Sequence, residues 1–279
     1  MAQIIGGINT SHVPAIGRAI HRGLQDEPYW KPFFDGYRPV HHWLAEARPD
    51  VVVVFYNDHG LNFFLDRMPT FAIGAAPSYG NADEGWGIPQ VPAFSGDQDL
   101  SWHLVESLTE AEFDLTTCQE MVVDHAFTLP MALLWPDQAW PVKVVPICIN
   151  TVQFPLPTAA RCWKLGQAVG RAIRSWESDA RVMVLGTGGL SHQLDGERAG
   201  FINKEFDLQF MDSLVNDPAW ATRFSIHELV EKAGTQGIEL LMWLATRGAL
   251  GESARELHRN YHIPISNTAS GLMLLEPTA

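Results

Sequence analysis

The stretch Val51-Val52-Val53-Val54-Phe55-Tyr56, followed directly by Asn57-Asp58-His59-Gly60, decides the fold class. A run that is apolar at every position, instead of every second one, is typical of a strand buried on both faces of a helix-covered sheet. Similar runs recur at residues 144–149 and 182–185. Together they predict an α/β fold with a mostly buried, mixed or parallel sheet covered by helices. In such a fold the active site is expected at the carboxyl ends of the strands.

Helical patterns lie between and after these runs. They cover residues 37–48, 99–112, 159–177, 203–215 and 235–247, so the last third of the chain is expected to be mostly helical. Residues 69–95 are rich in glycine and proline and are expected to form a long ordered loop, of the kind that often carries function. Because no repeat or linker interrupts the pattern, residues 1–279 are expected to form a single catalytic domain.

The chain carries a formal net charge of −13, which argues against a nucleic-acid partner and against an anionic membrane surface. A small anionic substrate remains compatible, because the charge within a cleft can oppose that of the whole protein. The sequence has no secretory signal pattern and no apolar run near the ~20 residues that span a bilayer. Cys118, Cys148 and Cys162 lack C-x-x-C spacing and are expected to be reduced, mostly buried thiols. These features predict a cytoplasmic protein.

Three histidines follow predicted strands closely. His12 and His59 come shortly after strand-like runs, and His192 ends a glycine-rich turn, Gly186-Thr187-Gly188-Gly189-Leu190-Ser191, that follows another. Ligands bind at the carboxyl ends of strands in open α/β sheets. Three imidazoles delivered there therefore indicate a metal site, a proton-transfer site or both.

Each of these histidines also has a purely structural explanation. His12 would be a hydrogen-bonded strand-end residue, and His59 would belong to a turn rich in asparagine, aspartate and glycine. If His59 instead binds a ligand, Asn57 and Asp58 are placed to orient its ring. His192 would brace its turn, or else act as a general acid or base beside a backbone that glycines allow to approach a ligand. That turn lacks the spacing of a phosphate-binding loop.

Two further residues occupy positions that suggest chemistry. Glu239 lies in an apolar helical pattern, where a buried carboxylate needs a partner, so it forms either a salt bridge or a metal ligand. Glu228 and Glu231 lie in a more polar segment and are expected to be solvated. His125 follows Val122-Val123-Asp124 and either touches substrate or is a satisfied core histidine.

Two histidines and one carboxylate form the ligand set of non-haem Fe(II) oxygenases, with positions left open for substrate and O2. A third histidine would then supply proton transfer. A zinc hydrolase can use the same ligand set, and ligand type does not separate Fe(II) from Mn(II). The sequence has neither a G-x-S-x-G nucleophile elbow nor an H-E-x-x-H zinc helix.

Several segments, spread over nearly the whole chain, match a known family. They are Thr10-Ser11-His12-Val13-Pro14, Tyr56-Asn57-Asp58-His59, Ala82-Asp83-Glu84-Gly85-Trp86-Gly87, Val123-Asp124-His125, Gly186-Thr187-Gly188-Gly189-Leu190-Ser191-His192-Gln193-Leu194, Phe201-Ile202-Asn203-Lys204-Glu205-Phe206-Asp207, Gly237-Ile238-Glu239-Leu240-Leu241-Met242-Trp243 and His262-Ile263-Pro264-Ile265-Ser266-Asn267-Thr268. The chain resembles the β subunit of protocatechuate 4,5-dioxygenase, and with it the LigB-type, class III extradiol ring-cleavage dioxygenases.

The resemblance implies a role for seven residues. The implied Fe(II) ligands are His12, His59 and Glu239, and the implied catalytic acid/base is His192. The residue near the substrate hydroxyls is His125, and the segment that hydrogen-bonds the substrate carboxylate holds Ser266 and Asn267.

The implied reaction is O2-dependent ring opening of a carboxylated catechol beside its two hydroxyls, as in the breakdown of lignin-derived aromatics. Protocatechuate would give 4-carboxy-2-hydroxymuconate semialdehyde. Gallate and 3-O-methylgallate are alternative substrates for the same chemistry. A non-catalytic scaffold or a zinc hydrolase of the same fold are more remote alternatives.

The resemblance also bears on partners. Two-component members of the family have a separate small helical α subunit that caps the site, and gallate-type relatives carry an equivalent segment after the β-like part. Because this sequence ends at Ala279, soon after the last shared segment, we expect no fused cap. A separate α subunit or the chain's own loops, residues 69–95 among them, would complete the site. The expected assembly is a homodimer or α2β2.

Overall fold

The computed structural model describes residues 1–85, Ile88 and residues 90–278. The strands are β1 (Gln3–Thr10), β2 (Val51–Tyr56), β3 (Phe71–Gly74), β4 (Ser78–Asn81), β5 (Phe94–Ser95), β6 (Thr116–Cys118), β7 (Val122–Val123), β8 (Lys143–Ile149), β9 (Arg181–Thr187), β10 (Ser253–Ile265) and β11 (Thr268–Thr278). The α-helices are α1 (Pro14–His21), α2 (Lys31–Asp35), α3 (Arg38–Ala47), α4 (Gln98–Glu110), α5 (His125–Leu134), α6 (Ala159–Ser175), α7 (Lys204–Asn216), α8 (Ile226–Ala233) and α9 (Leu240–Ala249).

A mixed sheet forms the centre of this α/β domain. Among the described residues it has eight strands in the order β10-β11-β1-β9-β2-β8-β3-β6. The four neighbours β1, β9, β2 and β8 run parallel, whereas β11 and β3 join them antiparallel on either side. The carboxyl ends of β1, β9 and β2 therefore meet at one edge of the sheet.

Strand β2 is buried on both faces, as its apolar run predicts. All six residues are buried, and its odd- and even-numbered side chains belong to two different core clusters. One cluster includes residues of α4, α6, α7 and α9, and the other includes residues of α1, α3 and α5. Because helices cover both faces, polar groups reach a ligand only at the ends of the central strands.

The predicted helices are confirmed, with ends that shift by a few residues. The pattern at residues 235–247 divides into a 3-10 turn at Gly237–Glu239 and the buried helix α9. Cys148 and Cys162 are buried and Cys118 is half-buried, and all three are free thiols. Among the described residues, no helix is long and apolar enough to cross a membrane.

The expectation that the last third is mostly helical is wrong, because it ends in the long antiparallel hairpin of β10 and β11. Strand β10 lies at the sheet edge and carries several charged side chains, so it lacks the apolar run of a buried strand. The sequence signal for this hairpin is the two-residue connection Ser266-Asn267 between two strand-forming runs.

The expectation of a long loop at residues 69–95 is also wrong in part. It contains β3, β4 and β5, which are short strands of four, four and two residues separated by turns. Strands this short give little periodicity, so the glycine and proline content dominates the sequence pattern. The segment still contributes Glu84 and Ile88 to the cleft described below. Two residues of its shared motif, Trp86 and Gly87, lie outside the described residues.

Candidate active site

The three strand-end histidines meet at one point. Since β9 lies between β1 and β2 in the sheet, the loops that follow these parallel strands carry His12, His59 and His192 to the same edge. Glu239 reaches this point from the 3-10 turn before α9, and its Oε2 lies 4.0 Å from His192 Nε2. His125, the first residue of α5, lies beside His59 with their rings stacked 4.2 Å apart.

His12 is held between a hydroxyl and a carboxylate. Its Nδ1 lies 3.3 Å from Thr187 Oγ1, at the end of β9, and its Nε2 lies 3.3 Å from Glu239 Oε1. The ring is buried. With both nitrogens engaged, its orientation is fixed, and one nitrogen faces the centre of the site.

His59 is oriented by Asp124 and not by its neighbour Asp58. Asp124 Oδ2 lies 2.8 Å from His59 Nδ1 and also accepts a hydrogen bond from the His59 backbone N–H. The other oxygen of Asp124 caps α5 by accepting from the backbone N–H of Ala126. Burial would raise the pKa of Asp124, but His59 lowers it to about 2, so this carboxylate is ionised. The His59 ring is thereby held with Nε2 towards the site.

The expectation that Asn57 and Asp58 orient His59 is therefore correct only for Asn57. Asp58 instead accepts hydrogen bonds from backbone N–H groups in the loop after β2, those of Gly60, Leu61, Asn62 and Phe63. It stabilises the loop that carries His59. Asn57 Nδ2 lies 3.2 Å from His59 Nε2 and donates to Glu239 Oε1.

His192 is prepared to accept a proton. Its Nδ1 lies 2.8 Å from the carbonyl oxygen of Leu190, which is an acceptor, so Nδ1 carries the hydrogen and Nε2 faces the cleft with a lone pair. Burial lowers the pKa of His192, an effect that Glu239 partly opposes. A neutral imidazole with its free nitrogen towards the cleft suits a general base.

The glycine-rich turn before His192 also holds Glu239. Gly188 has φ +98°, and a Cβ at this position would lie 2.7 Å from Glu239 Cβ and 2.8 Å from its Oε2. Gly189 donates its backbone N–H to that same Oε2, and Trp243 Nε1 donates to the Gly188 carbonyl. The turn therefore requires glycine both for its backbone angle and for the space that Glu239 occupies.

We expect Gly188→Ala to move Glu239 and weaken metal binding about 10- to 100-fold, the range seen when groups that orient a ligand are lost. The matched control is Gly196→Ala, where φ is +71° and the nearest atom to a new Cβ is 3.9 Å away. Both variants carry the backbone strain of about 1–3 kcal/mol, but only Gly188→Ala displaces the carboxylate. Equal metal affinity in the two variants, by competition with a chelator, would contradict this role.

His125 is held by a carboxylate that the sequence analysis did not single out. Glu84 accepts from the His125 backbone N–H at 2.6 Å, and its other oxygen lies 2.5 Å from His125 Nδ1. One ligand-type atom from each of His12, His59 and His125 lies within 4.8 Å of the others. His125 is therefore close enough to the other two histidines either to contact a substrate beside a metal ion or to bind that ion itself.

Asp207 is a buried carboxylate behind the His192 turn that the sequence did not reveal. It accepts hydrogen bonds from Ser191 N, Ser191 Oγ and Tyr261 OH, at 2.9, 2.6 and 2.8 Å. Burial raises its pKa from 3.8 to about 6 despite these donors. Asp207 lies in one of the segments shared with the family, but its partners could not be read from the sequence because Ser191 and Tyr261 are distant from it along the chain.

The pKa of Asp207 predicts a pH dependence of stability. The pKa of Asp207 is higher in the folded than in the unfolded chain. Its contribution to the free energy of unfolding is therefore most favourable below pH 3.8, and it falls by about 3 kcal/mol as the pH rises through 6. We expect the free energy of unfolding of wild type, relative to Asp207→Asn, to fall over this interval in urea melts with chelator present. The matched control is Asp179→Asn, which makes the same chemical change at an exposed position. A constant difference between wild type and Asp207→Asn would contradict the prediction.

A cleft of about 640 Å³ opens above the histidines. It is lined by all five clustered residues and by apolar side chains that include Val13, Leu61, Ile88, Val152, Phe154 and Leu194. This volume lies within the usual range for small-molecule sites. Ser266, at the hairpin turn with φ +56°, also lines it. Asn267 is not among the described lining residues, and its Oδ1 is 3.8 Å from where a Cβ on Gly200 would stand.

A sequence profile described as the catalytic LigB subunit of aromatic ring-opening dioxygenase matches residues 6–271. The chain belongs to the LigB family. The crystal structure of an uncharacterized protein from Escherichia coli K12 shares the fold, with a TM-score of 0.57 and 15% identity over 97% of this chain and 99% of that one.

Curated relatives of this LigB-family chain are described as dioxygenases. A gallate dioxygenase of Pseudomonas putida is 43% identical over 70% of this chain and 57% of that protein. A 2,3-dihydroxyphenylpropionate/2,3-dihydroxicinnamic acid 1,2-dioxygenase of Photorhabdus laumondii is 35% identical over 66% of this chain and 55% of that protein. One of the same description from Xanthobacter autotrophicus is 30% identical over 96% of this chain and 97% of that protein. The match thus spans little more than half the length of the first two relatives.

The donors of this LigB-family site fit a divalent metal. Burial would raise the pKa of Glu239, but His12 and His59 hold it well below its usual value, so the carboxylate is ionised. Burial would lower the pKa of His59, yet Asp124 and Glu239 raise it well above its usual value. His59 Nε2 faces Glu239 Oε1 at 3.7 Å. The centre of the site therefore favours positive charge, and its nitrogen and oxygen donors are of the types that non-haem Fe(II) accepts.

Proposed function

We propose that the protein is an Fe(II)-dependent extradiol dioxygenase that opens the ring of a carboxylated catechol. The observation that carries this proposal is the convergence of His12, His59, His192 and Glu239 at the base of one cleft, in a member of the LigB family. In the proposed assignment, His12, His59 and Glu239 hold the iron. Iron bound there would lower the pKa of the catechol hydroxyls and bring O2 and the aromatic ring together.

The chain's own residues supply proton transfer and orientation. His192 Nε2 accepts the proton of the second catechol hydroxyl and later returns it, while its Nδ1 remains bonded to the Leu190 carbonyl oxygen. His125, fixed by Glu84, lies where it can hydrogen-bond a hydroxyl. The apolar side chains that line the cleft are placed to pack against the ring. Both oxygen atoms of O2 enter the product, so that protocatechuate becomes 4-carboxy-2-hydroxymuconate semialdehyde.

Protocatechuate is the substrate that we propose first, and gallate is the second candidate. Gallate is favoured by the 43% identity to a gallate dioxygenase, and 3-O-methylgallate would undergo the same chemistry. Ser266, at the cleft, is proposed to hydrogen-bond the carboxylate, and Asn267 to support that segment. A separate small α subunit, in an α2β2 assembly, or a homodimer would complete the site.

The test is oxygen uptake by protein loaded anaerobically with Fe(II) and then given protocatechuate, gallate, 3-O-methylgallate or 2,3-dihydroxyphenylpropionate. We expect one O2 consumed per carboxylated catechol and a ring-opened semialdehyde as product. Faster turnover of gallate would select the second candidate. Bound iron without uptake of O2 on any of these catechols would contradict an activity of this chain alone, and failure to bind iron would favour a scaffold or a zinc enzyme.

A further inference from the structure

The cleft has a positively charged side chain at Arg18, on α1. This helix begins two residues after His12, and Pro14, Ala15 and Arg18 all line the cleft. Residues three and four apart share one face of a helix, so these side chains form a single wall. Arg18 lies about 6 Å along the helix axis from Pro14. The backbone of Arg18 is therefore one helical turn further along α1 than Pro14.

Arg18 is the only lysine or arginine among the described residues that line this cleft. The carboxylates there, Glu84 and Glu239, are already engaged with His125 and with the metal-site histidines. An anionic substrate approaches a protein with a net charge of −13, so it gains little attraction from the protein as a whole. Local charge in the cleft must then favour its binding.

The guanidinium of Arg18 has no hydrogen-bond or ion-pair partner among the described residues, and the side chain is exposed. The helix beneath it is nevertheless held firmly. A Cβ on Gly17 would lie 2.6 Å from Leu129 of α5, so α1 packs closely against that helix. The backbone of α1 is thus held in place, while the guanidinium of Arg18 keeps its hydrogen-bond donors available to a ligand.

We infer that Arg18 binds the carboxylate of the aromatic substrate alongside Ser266 and is the specificity determinant for acidic over uncharged catechols. This inference rests on the proposed function. When the hydroxyls of a catechol face the histidines, a substituent on the far side of the ring points away from them, and Arg18 is among the side chains that line the cleft there. A guanidinium matches a carboxylate with two parallel hydrogen bonds, which adds directional selection to charge attraction.

The test measures equilibrium binding of protocatechuate and of unsubstituted catechol to Fe(II)-loaded protein without O2, by calorimetry. Arg18→Met is expected to weaken protocatechuate binding about tenfold and to leave catechol binding unchanged. The expected loss is that of one charge-assisted hydrogen bond, reduced because Arg18 is exposed to solvent. Arg18→Lys should retain part of the affinity. In the presence of O2, the variant should raise KM for protocatechuate with little change in kcat, because the contact is the same in ground and transition states.

The matched control is Arg22→Met, at the exposed C-cap of α1, which is not among the described lining residues. A second variant, Arg18→Glu, should bind 3,4-dihydroxybenzylamine more tightly than wild type does. If Arg18 only stabilises the end of α1, Arg18→Met will lower Tm and leave protocatechuate affinity unchanged, and the inference is wrong. If wild type binds neither catechol, the proposed function fails instead.

Discussion

Glu239→Gln is expected to abolish stoichiometric metal binding and to reduce oxygen uptake more than 100-fold. Loss of a group that merely orients a ligand costs about 10- to 100-fold in metal affinity, and loss of a charged ligand costs more. Glu239 Oε1 lies 3.3 Å from His12 Nε2 and 3.7 Å from His59 Nε2. Glutamine keeps the shape of this side chain but removes the negative charge that makes the centre attract a cation.

The measurement is metal content after reconstitution and desalting, with circular dichroism to confirm folding. Glu231→Gln makes the same chemical change on an exposed side chain and should retain metal. His12→Gln and His59→Gln should behave like Glu239→Gln, whereas His125→Gln should retain metal if its place is beside the substrate. Full metal content in Glu239→Gln would remove Glu239 from the ligand set, and metal loss in His125→Gln would add His125 to it.

His192→Ala is expected to retain iron but to lose turnover by about 10²- to 10⁴-fold, the usual contribution of a general acid–base residue. Its Nδ1 is occupied by a backbone carbonyl, and its Nε2 lies 4.0 Å from Glu239 Oε2 at the edge of the site. Removing the ring therefore takes away the proton acceptor and leaves His12, His59 and Glu239 in place.

Iron content and single-turnover rates of the same preparation separate these two effects. His42→Ala, on an exposed face of α3, is the matched control and should resemble wild type. Stoichiometric iron loss in His192→Ala would make His192 a ligand. Retention of both iron and normal turnover would show that another group moves the proton.

Local patterns in the sequence were sufficient to predict the fold class and the location of the candidate site. The apolar run of β2 is buried on both faces as predicted. Successive residues of a strand face opposite sides of the sheet, so an uninterrupted apolar run indicates burial of both sides. The ends of β1, β2 and β9 bring their histidines together as expected from parallel strands. The hairpin of β10 and β11 was missed because a charged edge strand does not show an apolar pattern.

The supporting contacts could not be read from neighbours in sequence. Asp58, adjacent to His59, binds loop backbone, whereas Asp124, sixty-five positions away, orients the ring. In the sequence, Asp124 is marked by the shared segment Val123-Asp124-His125 and by its position as a helix N-cap before His125, neither of which points to His59. Glu84 likewise becomes part of the site through packing between distant segments. Such pairings depend on how elements dock, and that information is not contained in local periodicity.

The order of the central strands also bears on how the protein matures. The neighbours β1, β9 and β2 are widely separated along the chain, so the ends that carry the three imidazoles come together only once β9 has paired between β1 and β2. Contacts at such sequence separation form slowly during folding. A nascent or truncated chain therefore presents isolated imidazoles and cannot capture a metal ion with the full donor set. The complete donor set of the proposed metal site therefore forms only after β9 and the segment that holds Glu239 have packed against β1 and β2.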